Sequence, residues 1–552
     1  MGSSTSYVGQ AAEAAAMAVS SYSRPCDATN IGYGTAGFRT NAELLDNVIY
    51  RMGLAAALRA KALGRKVGVM ITASHNPERD NGVKLVEPMG EMLLAEWEAH
   101  ATLLANAADS ELKSVVEELA STLGIDLNTL GEVVVGRDTR ASSSRLALAI
   151  CDGVGVLRPT HVRSVGVVTT PQLHYIVRCE NDPSYGVPTI GGYEEKLLEA
   201  FGKLLSSGAR SPRRYKGTVN VDCACGVGSI ALSNMEERLS AVGLVVNLVN
   251  RVGEGVLNEG CGADFVKTKQ RAPAKADVMG RWASFDGDAD RIVYFFSKGQ
   301  DGFCLLDGDR IALLLSSFVK SLLTAAGAEE IKVGLVQTAY ANGASTERAK
   351  EDLGDALACA KTGVKHCHHA ALAYDVGVYF EANGHGTLLF SQKFVDRMQS
   401  LATSSDAEKK GAAEKLLHFR DLINETVGDA ISIFLAVEAV LYLTDSDCDA
   451  WRAMYDDLPN RQIKVLVADR GIFETTDAER VCVKPAGLQA EIDKAVAKVP
   501  KGRAFVRPSG TEDVVRVYAE AESTEAMLTL AQDVVDAVHS MAGGVGEKPT
   551  VT

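Results

Sequence analysis

The feature that most constrains this chain is a recurring unit. A short apolar run is followed by a polar loop and then by a stretch with helical patterning. Residues 67–71, 132–136, 165–168, 216–221, 282–285, 331–337 and 374–380 are runs of this kind, each followed at once by Thr, Arg, Asp or Glu. Apolar runs of this length bounded by turn formers read as buried strands. Strands alternating with helices predict α/β modules in which the loops at the strand ends carry the chemistry. A chain of 552 residues is too long for one hydrophobic core, so several such modules are expected. No fixed-period repeat is evident. Clusters of Asn, Asp, Pro and Gly near 181–192 and a break near 298–302 predict boundaries. A last domain is expected from about 456. The division is then 1–185, 186–300, 301–455 and 456–552, with residues 91–130 as a helical insertion in the first. Helices are predicted over 11–19, 44–62 and 524–540, and a loop or exposed helix over 404–416.

Composition narrows the function classes. Apolar residues are 46% and charged residues 23%, an ordinary globular balance. The net charge of −14 argues against nucleic acid or an anionic membrane as partner. An anionic substrate would require arginines and lysines gathered locally against that field. Eleven cysteines, odd in number and irregular in spacing, are not a disulfide framework and predict a reducing, cytoplasmic setting. No apolar run reaches the ~18 residues that span a bilayer. Neither a secretory leader nor a C-terminal address is recognisable.

The polar loops are where chemistry is expected. Ile71-Thr72-Ala73-Ser74-His75-Asn76-Pro77 follows a strand, with Lys84 shortly after. A serine beside an imidazole and an ammonium suits a phosphoryl group, although such a loop is also an ordinary capped turn. Upstream, Gly34-Thr35-Ala36-Gly37-Phe38-Arg39 offers small residues and a guanidinium to an anion. Gly136-Arg137-Asp138-Thr139-Arg140 opens a helix, where an anion could be bound with Arg137 assisting. Equally, Asp138 could cap that helix and Arg140 pair on its surface.

Asp286-Gly287-Asp288-Ala289-Asp290-Arg291 is the most specific motif in itself. Three carboxylates on alternate residues between two strands suit a hard divalent ion such as Mg²⁺. They repel one another strongly without a cation or an arginine. An EF-hand is excluded because its sixth position is Arg291 and its twelfth is Ser297. Glu381, Asn383 and His385 also alternate. In extended backbone they would share a face, giving a hydroxyl-reading set or simply a solvated strand face. Lys361-Thr362-Gly363-Val364-Lys365-His366 is read as a polar loop, with Lys365 and His366 as its candidate substrate contacts. Zinc at His366, Cys367, His368 and His369 is disfavoured, since four neighbouring residues cannot all face one ion. Arg507-Pro508-Ser509-Gly510-Thr511, with Arg516 on the returning strand, reads as a phosphate nest on a hairpin tip.

Taken in order, the 34–39, 72–84, 286–291, 381–385 and 507–511 segments resemble the α-D-phosphohexomutase superfamily over nearly the whole chain. The early serine loop and Glu381-Ala382-Asn383-Gly384-His385 resemble its eukaryotic phosphoacetylglucosamine mutase branch. The resemblance implies three related α/β domains with mixed sheets and a smaller C-terminal α+β domain, shaped like the TATA-binding protein, around a central cleft. In chain order these would be the phosphoserine, metal-binding, sugar-binding and phosphate-binding domains. It implies a phosphorylated Ser74 and one Mg²⁺ per chain on Asp286, Asp288, Asp290 and an oxygen of that phosphate. Arg39, His75, Lys84 and Arg137 would line the reacting centre, with Lys84, His75 and Arg39 as candidate bases, and Arg291 would assist. Glu381, Asn383 and His385 would hold sugar hydroxyls, and Arg507, Ser509, Gly510 and Thr511 the non-reacting phosphate. The implied reaction interconverts N-acetylglucosamine 6-phosphate and 1-phosphate through the 1,6-bisphosphate, serving UDP-N-acetylglucosamine synthesis. No obligate protein partner is implied. Glucose, mannose or glucosamine phosphate are the alternative substrates, and a non-catalytic phosphosugar-binding protein is the alternative class. Val364 departs from members that place a histidine there.

Overall fold

The structure is a computed structural model that describes residues 7–34, 36–208, 214–276, 280–297, 302–509 and 513–551. They form two compact units. The first comprises Met1–Asp307, His385–Thr387 and Lys415–Ser446, and the second comprises Gly308–Gly384, Leu388–Glu414 and Asp447–Thr552.

The first unit carries two five-stranded sheets. One contains β1 (Phe38–Asn41), β2 (Val67–Ile71), β3 (Asp80–Val86), β4 (Gly131–Arg137) and β5 (Thr160–Val167), in the order β1-β3-β2-β4-β5. The other contains β6 (Thr218–Asp222), β7 (Val245–Val249), β8 (Arg281–Phe285), β9 (Ile292–Ser297) and β10 (Phe303–Leu306), in the order β10-β9-β8-β6-β7. β2 is buried along its whole length, as a continuous apolar run bounded by turns requires. Val69, Ile71, Val133 and Val135 pack with Leu54, Leu58, Leu146 and Ile150 from helices Asp46–Leu63 and Ser143–Val156. Each such side chain contributes ~1.5–3 kcal/mol through burial. The 91–130 segment forms two helices, Ala95–Asn106 and Leu112–Thr122. Helix Ala430–Leu443 also belongs to this unit; its N-cap Asp429 accepts hydrogen bonds from Tyr193 Oη at 2.9 and 2.8 Å.

The second unit contains β11 (Val333–Thr338), β12 (Leu357–Ala360) and β13 (Val376–Phe380), in a sheet ordered β12-β11-β13-β14 with β14 (Gly386–Phe390). Residues 404–416 are mostly helical, within Ala407–Leu422. Toward the C-terminus come β15 (Asn460–Leu466), a two-stranded hairpin of β16 (Glu474–Thr476) and β17 (Val481–Lys484), then β18 (Arg503–Pro508) and β19 (Val514–Glu520). The antiparallel sheet β15-β19-β18 buries Val465, Val515 and Val517 against Leu530, Val534 and Val538 of helix Thr524–Met541. This end of the chain is α+β.

The first three sheets share one arrangement. In the first, β5, β4 and β2 are successive parallel neighbours and β2 pairs with an antiparallel return, β3. In the second, β7, β6 and β8 are parallel and β9 is the antiparallel return. In the third, β12, β11 and β13 are parallel, with β14 beyond β13. The serine loop, the acidic loop and the 381–385 turn therefore occupy corresponding places, after the third parallel strand. In the first sheet that strand and its return come early in the chain, ahead of their parallel partners, which accounts for the early serine loop.

Candidate active site

Ser74 lies just past β2 with φ +50°, a conformation unusual for a non-glycine residue. The surroundings hold it there. Its N–H donates to Thr72 Oγ1 at 3.0 Å, and Thr72 Oγ1 donates to Asp138 Oδ2 at 2.8 Å. Arg140 donates from Nη2 to the carbonyls of Ser74 and Asn76, both at 2.9 Å, and from Nη1 to those of Pro77 (2.6 Å) and Asp80 (3.0 Å). Its Nε donates to Asp138 Oδ2 at 3.0 Å. Arg140 is thus a buried clamp for the serine loop and not a surface partner, because four converging carbonyls and one buried carboxylate match its fork. Asp138 does not cap the following helix; its Oδ1 accepts from Arg140 N and Ser143 Oγ. Asn258 Nδ2 adds hydrogen bonds to the Ser74 and Asn76 carbonyls at 2.8 and 3.0 Å. Arg137 ends β4, half-buried beside Ile71 in register.

The acidic loop meets the serine directly. Ser74 Oγ donates to Asp286 Oδ2 at 2.7 Å and lies 3.4 Å from His75 Nδ1. A β-carbon on Gly287 would stand 2.7 Å from the Ser74 carbonyl oxygen, so only glycine permits this approach. Asp286, Asp288 and Asp290 are buried and bring one oxygen each within 4.8 Å of one another. Asp286 Oδ1 accepts from the N–H groups of Asp290 and Arg291. Lys84 Nζ donates to Asp288 Oδ2 at 3.1 Å and Asp290 Oδ2 at 3.0 Å, and Thr170 Oγ1 donates to Asp288 Oδ2 at 2.6 Å. Asp288 Oδ1 and Asp290 Oδ1 are buried and accept no hydrogen bond among the described residues.

Charge follows from this packing. Burial, then repulsion from Asp290 and Asp288, pushes the Asp286 carboxyl well above its usual range. Burial also opposes ionisation of Asp290, but Lys84, His385 and Arg291 outweigh it and hold that carboxyl well below the usual range. For Asp288, burial and Asp290 are outweighed by Lys84 and the Thr170 hydrogen bond. Burial alone would lower the Lys84 ammonium; Asp288 and Asp290 keep it raised and charged. Burial, then Arg291 and Arg39, drives His75 well below its ordinary value, so its imidazole is neutral. Arg39, on β1, donates from Nε to the Ala36 carbonyl, and burial pulls it down against the attraction of Asp288. Two buried carboxylate oxygens without a hydrogen bond among the described residues, in an all-oxygen donor set, fit a hard divalent cation.

His385 belongs with this cluster. Its Nδ1 lies 3.6 Å from Asp290 Oδ1, and Arg291 bridges to it in the backbone. Glu381 and Asn383 are in the second unit. Residues 381–385 are a turn and not an extended strand: Gly384 N–H returns to the Glu381 carbonyl at 2.9 Å, with Gly384 at φ +86°. Alternation therefore does not put the three side chains on one face. Glu381 Oε1 accepts from Gly363 N–H at 2.9 Å, and Oε2 from Asn383 Nδ2 at 3.3 Å.

Lys365 and His366 are on a helix, Val364–Ala371, and not on a loop; Gly363, at φ +109°, precedes its first turn, and Val364, Cys367 and Ala371 form its buried face. Among the described residues no His or Cys takes part in a metal-type cluster. Arg507 and Arg516 are cross-strand neighbours on β18 and β19. Ser509 N–H donates to the Val514 carbonyl, closing the hairpin, while Gly510 and Thr511 lie outside the described residues. Arg507 Nε donates to Glu479 Oε1 at 2.7 Å. Asn258, Thr170 and Glu479 also take part, and Arg140, expected as a surface partner, is a participant in the loop itself. Arg140 and Thr170 carry a sequence signal, each close behind a strand end, whereas Asn258 and Glu479 carry none.

The family profile "Phosphoacetylglucosamine mutase AMG1, domain III" matches residues 307–445. Profiles of phosphoglucomutase/phosphomannomutase match at 52–113 (alpha/beta/alpha domain I) and 463–537 (C-terminal domain). Human phosphoacetylglucosamine mutase is 51% identical, over 94% of this chain and 95% of its own length. The chain belongs to the phosphoacetylglucosamine mutase family. The Arabidopsis thaliana member is 43% identical over 93% of this chain and 96% of its own. Among solved family structures, Aspergillus fumigatus N-acetylphosphoglucosamine mutase, in complex with GlcNAc-6P and magnesium, is 47% identical with a TM-score of 0.90, covering 97% of this chain and 99% of that one. An N-acetylglucosamine-phosphate mutase of the α-D-phosphohexomutase superfamily, in its product complex, is 42% identical with a TM-score of 0.91, covering 96% and 99%.

Proposed function

We infer that this chain is a phosphoacetylglucosamine mutase. It interconverts N-acetylglucosamine 6-phosphate and N-acetylglucosamine 1-phosphate, an isomerisation by phosphoryl transfer that serves UDP-N-acetylglucosamine synthesis. The observation that carries the chemistry is the Ser74 hydroxyl, 2.7 Å from a carboxylate of a buried aspartate triplet in which two oxygens accept no hydrogen bond among the described residues. The Aspergillus fumigatus relative binds GlcNAc-6P and magnesium, and the same reading supplies one Mg²⁺ here. Asp286, Asp288 and Asp290 would hold it, with a phosphate oxygen on Ser74 as a further ligand. When bound, Mg²⁺ supplies charge withdrawal from the phosphoryl group.

The roles of individual residues are our proposal. Ser74 carries the phosphoryl group at rest. The free sugar hydroxyl attacks phosphorus, the bond to Ser74 Oγ breaks, and the hydroxyl proton ends on the serine side. The product is N-acetylglucosamine 1,6-bisphosphate. After the sugar reverses, Ser74 Oγ attacks the other phosphorus, the bond from that phosphorus to the sugar oxygen breaks, the serine proton passes to that oxygen, and the sugar leaves as the isomeric monophosphate with Ser74 phosphorylated again. Lys84, Arg39 and Arg291 stabilise the transferring charge, His75 and Arg137 complete the reacting centre, and His385 orients Asp290. Glu381 and Asn383 hold sugar hydroxyls, joined by Lys365 and His366. Arg507, Arg516, Ser509, Gly510 and Thr511 grip the non-reacting phosphate.

The proposed domains run 1–185, 186–306, 307–455 and 456–552, the second extended past the expected 300 because β10 completes its sheet. Among the described residues no helix is long and apolar enough to cross a membrane. Eleven free cysteines support a cytoplasmic setting.

Turnover of N-acetylglucosamine 6-phosphate with Mg²⁺ and a bisphosphate activator tests this reading, beside glucose, mannose and glucosamine phosphates. Ser74→Ala should lower kcat by at least ~10³-fold while leaving the thermal midpoint in place, the scale of losing a covalent nucleophile. Full activity in that variant, or intact mass without a phosphate on Ser74, would overturn it.

A further inference from the structure

The turn joining β16 to β17 is unusual. Asp477, Ala478 and Glu479 have φ of +50°, +52° and +70°, three successive non-glycine residues in the left-handed region. Each such residue costs roughly 1 kcal/mol or more, so neighbours must hold the turn in place. Arg480 does part of this, donating from Nη2 to Asp477 Oδ1 at 2.7 Å. The rest falls to the Glu479 carboxylate, which uses both oxygens. Oε1 accepts from Arg507 Nε at 2.7 Å. Oε2 accepts from Thr362 N–H at 2.9 Å and Thr362 Oγ1 at 2.7 Å.

The next residue extends the link. Gly363 N–H donates to Glu381 Oε1, whose other oxygen accepts from Asn383. An unbroken path therefore runs from Arg507 through Glu479 and the Thr362–Gly363 backbone to Glu381 and Asn383. Its Arg507–Glu479 segment is largely shielded, with side chains 22% and 14% exposed, so it is stronger than a solvated surface pair.

We propose that Glu479 is a positioning residue that couples the phosphate grip to the sugar-reading turn. By holding Arg507 and the 362–363 backbone in one fixed relation, it makes a phosphosugar bind better than its phosphate and its sugar would separately. This rests on the roles given above to Arg507 and Glu381.

The test is steady-state kinetics on N-acetylglucosamine 6-phosphate with Glu479→Gln, Glu381→Gln and the double variant, with Arg507→Ala as control. In Glu479→Gln an amide still accepts from Thr362, but it cannot accept from Arg507. KM should rise about 10-fold with kcat within about 3-fold, the size expected for one charge-assisted hydrogen bond. The double variant should cost clearly less than the product of the two single losses, because both act through one path. Thr362→Val, lacking the Oγ1 donor, should shift KM in the same direction by less, and it decides the matter if Glu479→Gln does not fold. An unchanged KM, or single effects that multiply, would overturn the coupling. If Arg507→Ala leaves KM unchanged in an active enzyme, the phosphate-grip assignment fails and the coupling with it. If Arg507→Ala raises KM and Glu479→Gln does not, the coupling alone fails.

Discussion

Two oxygens decide the chemistry at the scale of single residues. Asp288 Oδ1 and Asp290 Oδ1 are buried and accept no hydrogen bond among the described residues, so the triplet carries a cost that a cation removes. Mg²⁺ should therefore stabilise the folded protein as well as activate it. At a concentration 100 times its dissociation constant the gain is ~2.7 kcal/mol, a few degrees in thermal midpoint. In Asp288→Asn most of that shift should vanish, and chelation should abolish turnover of the unaltered protein. Differential scanning fluorimetry with and without Mg²⁺ reads the first effect, and a magnesium-insensitive midpoint in the unaltered protein would contradict it. Individual residues were unequally legible. Ser74 and the three aspartates were readable because each carries a reactive group just past a strand end, and Lys84 because it follows the serine motif closely, on β3. Glu479 was not, because a carboxylate in a surface-patterned turn looks the same whether or not an arginine lies 28 positions away.

Loops on the strand ends matter at the scale of elements. The serine loop owes its shape to a side chain from the following strand-to-helix connection: Arg140 donates to four of its carbonyls and closes on buried Asp138. Arg140→Leu removes those donors and leaves the Asp138 charge uncompensated. Losing one partner of a buried pair costs roughly 3–5 kcal/mol. Urea unfolding should show a loss of that size, with Ser74 phosphorylation falling in parallel, while Arg140→Lys should retain part of both. Equal stability in Arg140→Leu would refute the clamp. Strands were the best-predicted elements, since continuous apolar runs between turn formers admit few other readings. The Glu381–His385 segment departs from the alternation expected of it because alternation implies a shared face only in extended backbone, and Gly384 bends the chain there.

At the scale of the whole molecule, burial sets the response to acid. His174 is 1% exposed; its Nδ1 donates to the Gly90 carbonyl at 2.7 Å and its Nε2 has no hydrogen-bond partner among the described residues. Burial is the main reason its pKa is lowered from 6.5 to about 4, with Lys84 and His385 adding to the shift and Asp290 and the Gly90 bond opposing it. Between those values the unfolded chain binds a proton that the native protein does not, so stability falls as pH drops from 6.5 toward 4. At pH 5 the loss from this group is about 2 kcal/mol relative to pH 7. His174→Gln should lose correspondingly less between pH 7 and pH 5 in urea midpoints; identical acid sensitivity in the two proteins would exclude His174 as a source.

By itself the sequence determined most of the buried strands, the recurrence of α/β modules and the identity of the reactive groups. These depend on local apolar patterning and functional-group chemistry, both of which are written residue by residue. Tertiary structure alone decided which groups meet. Ser74 and Asp286 are 212 positions apart yet share a 2.7 Å hydrogen bond, and His385 Nδ1 comes within 3.6 Å of Asp290 Oδ1 from far along the chain. The physical reason is that such meetings depend on sheet order and close backbone approach, as at Gly287 against the Ser74 carbonyl, which no local window of residues records.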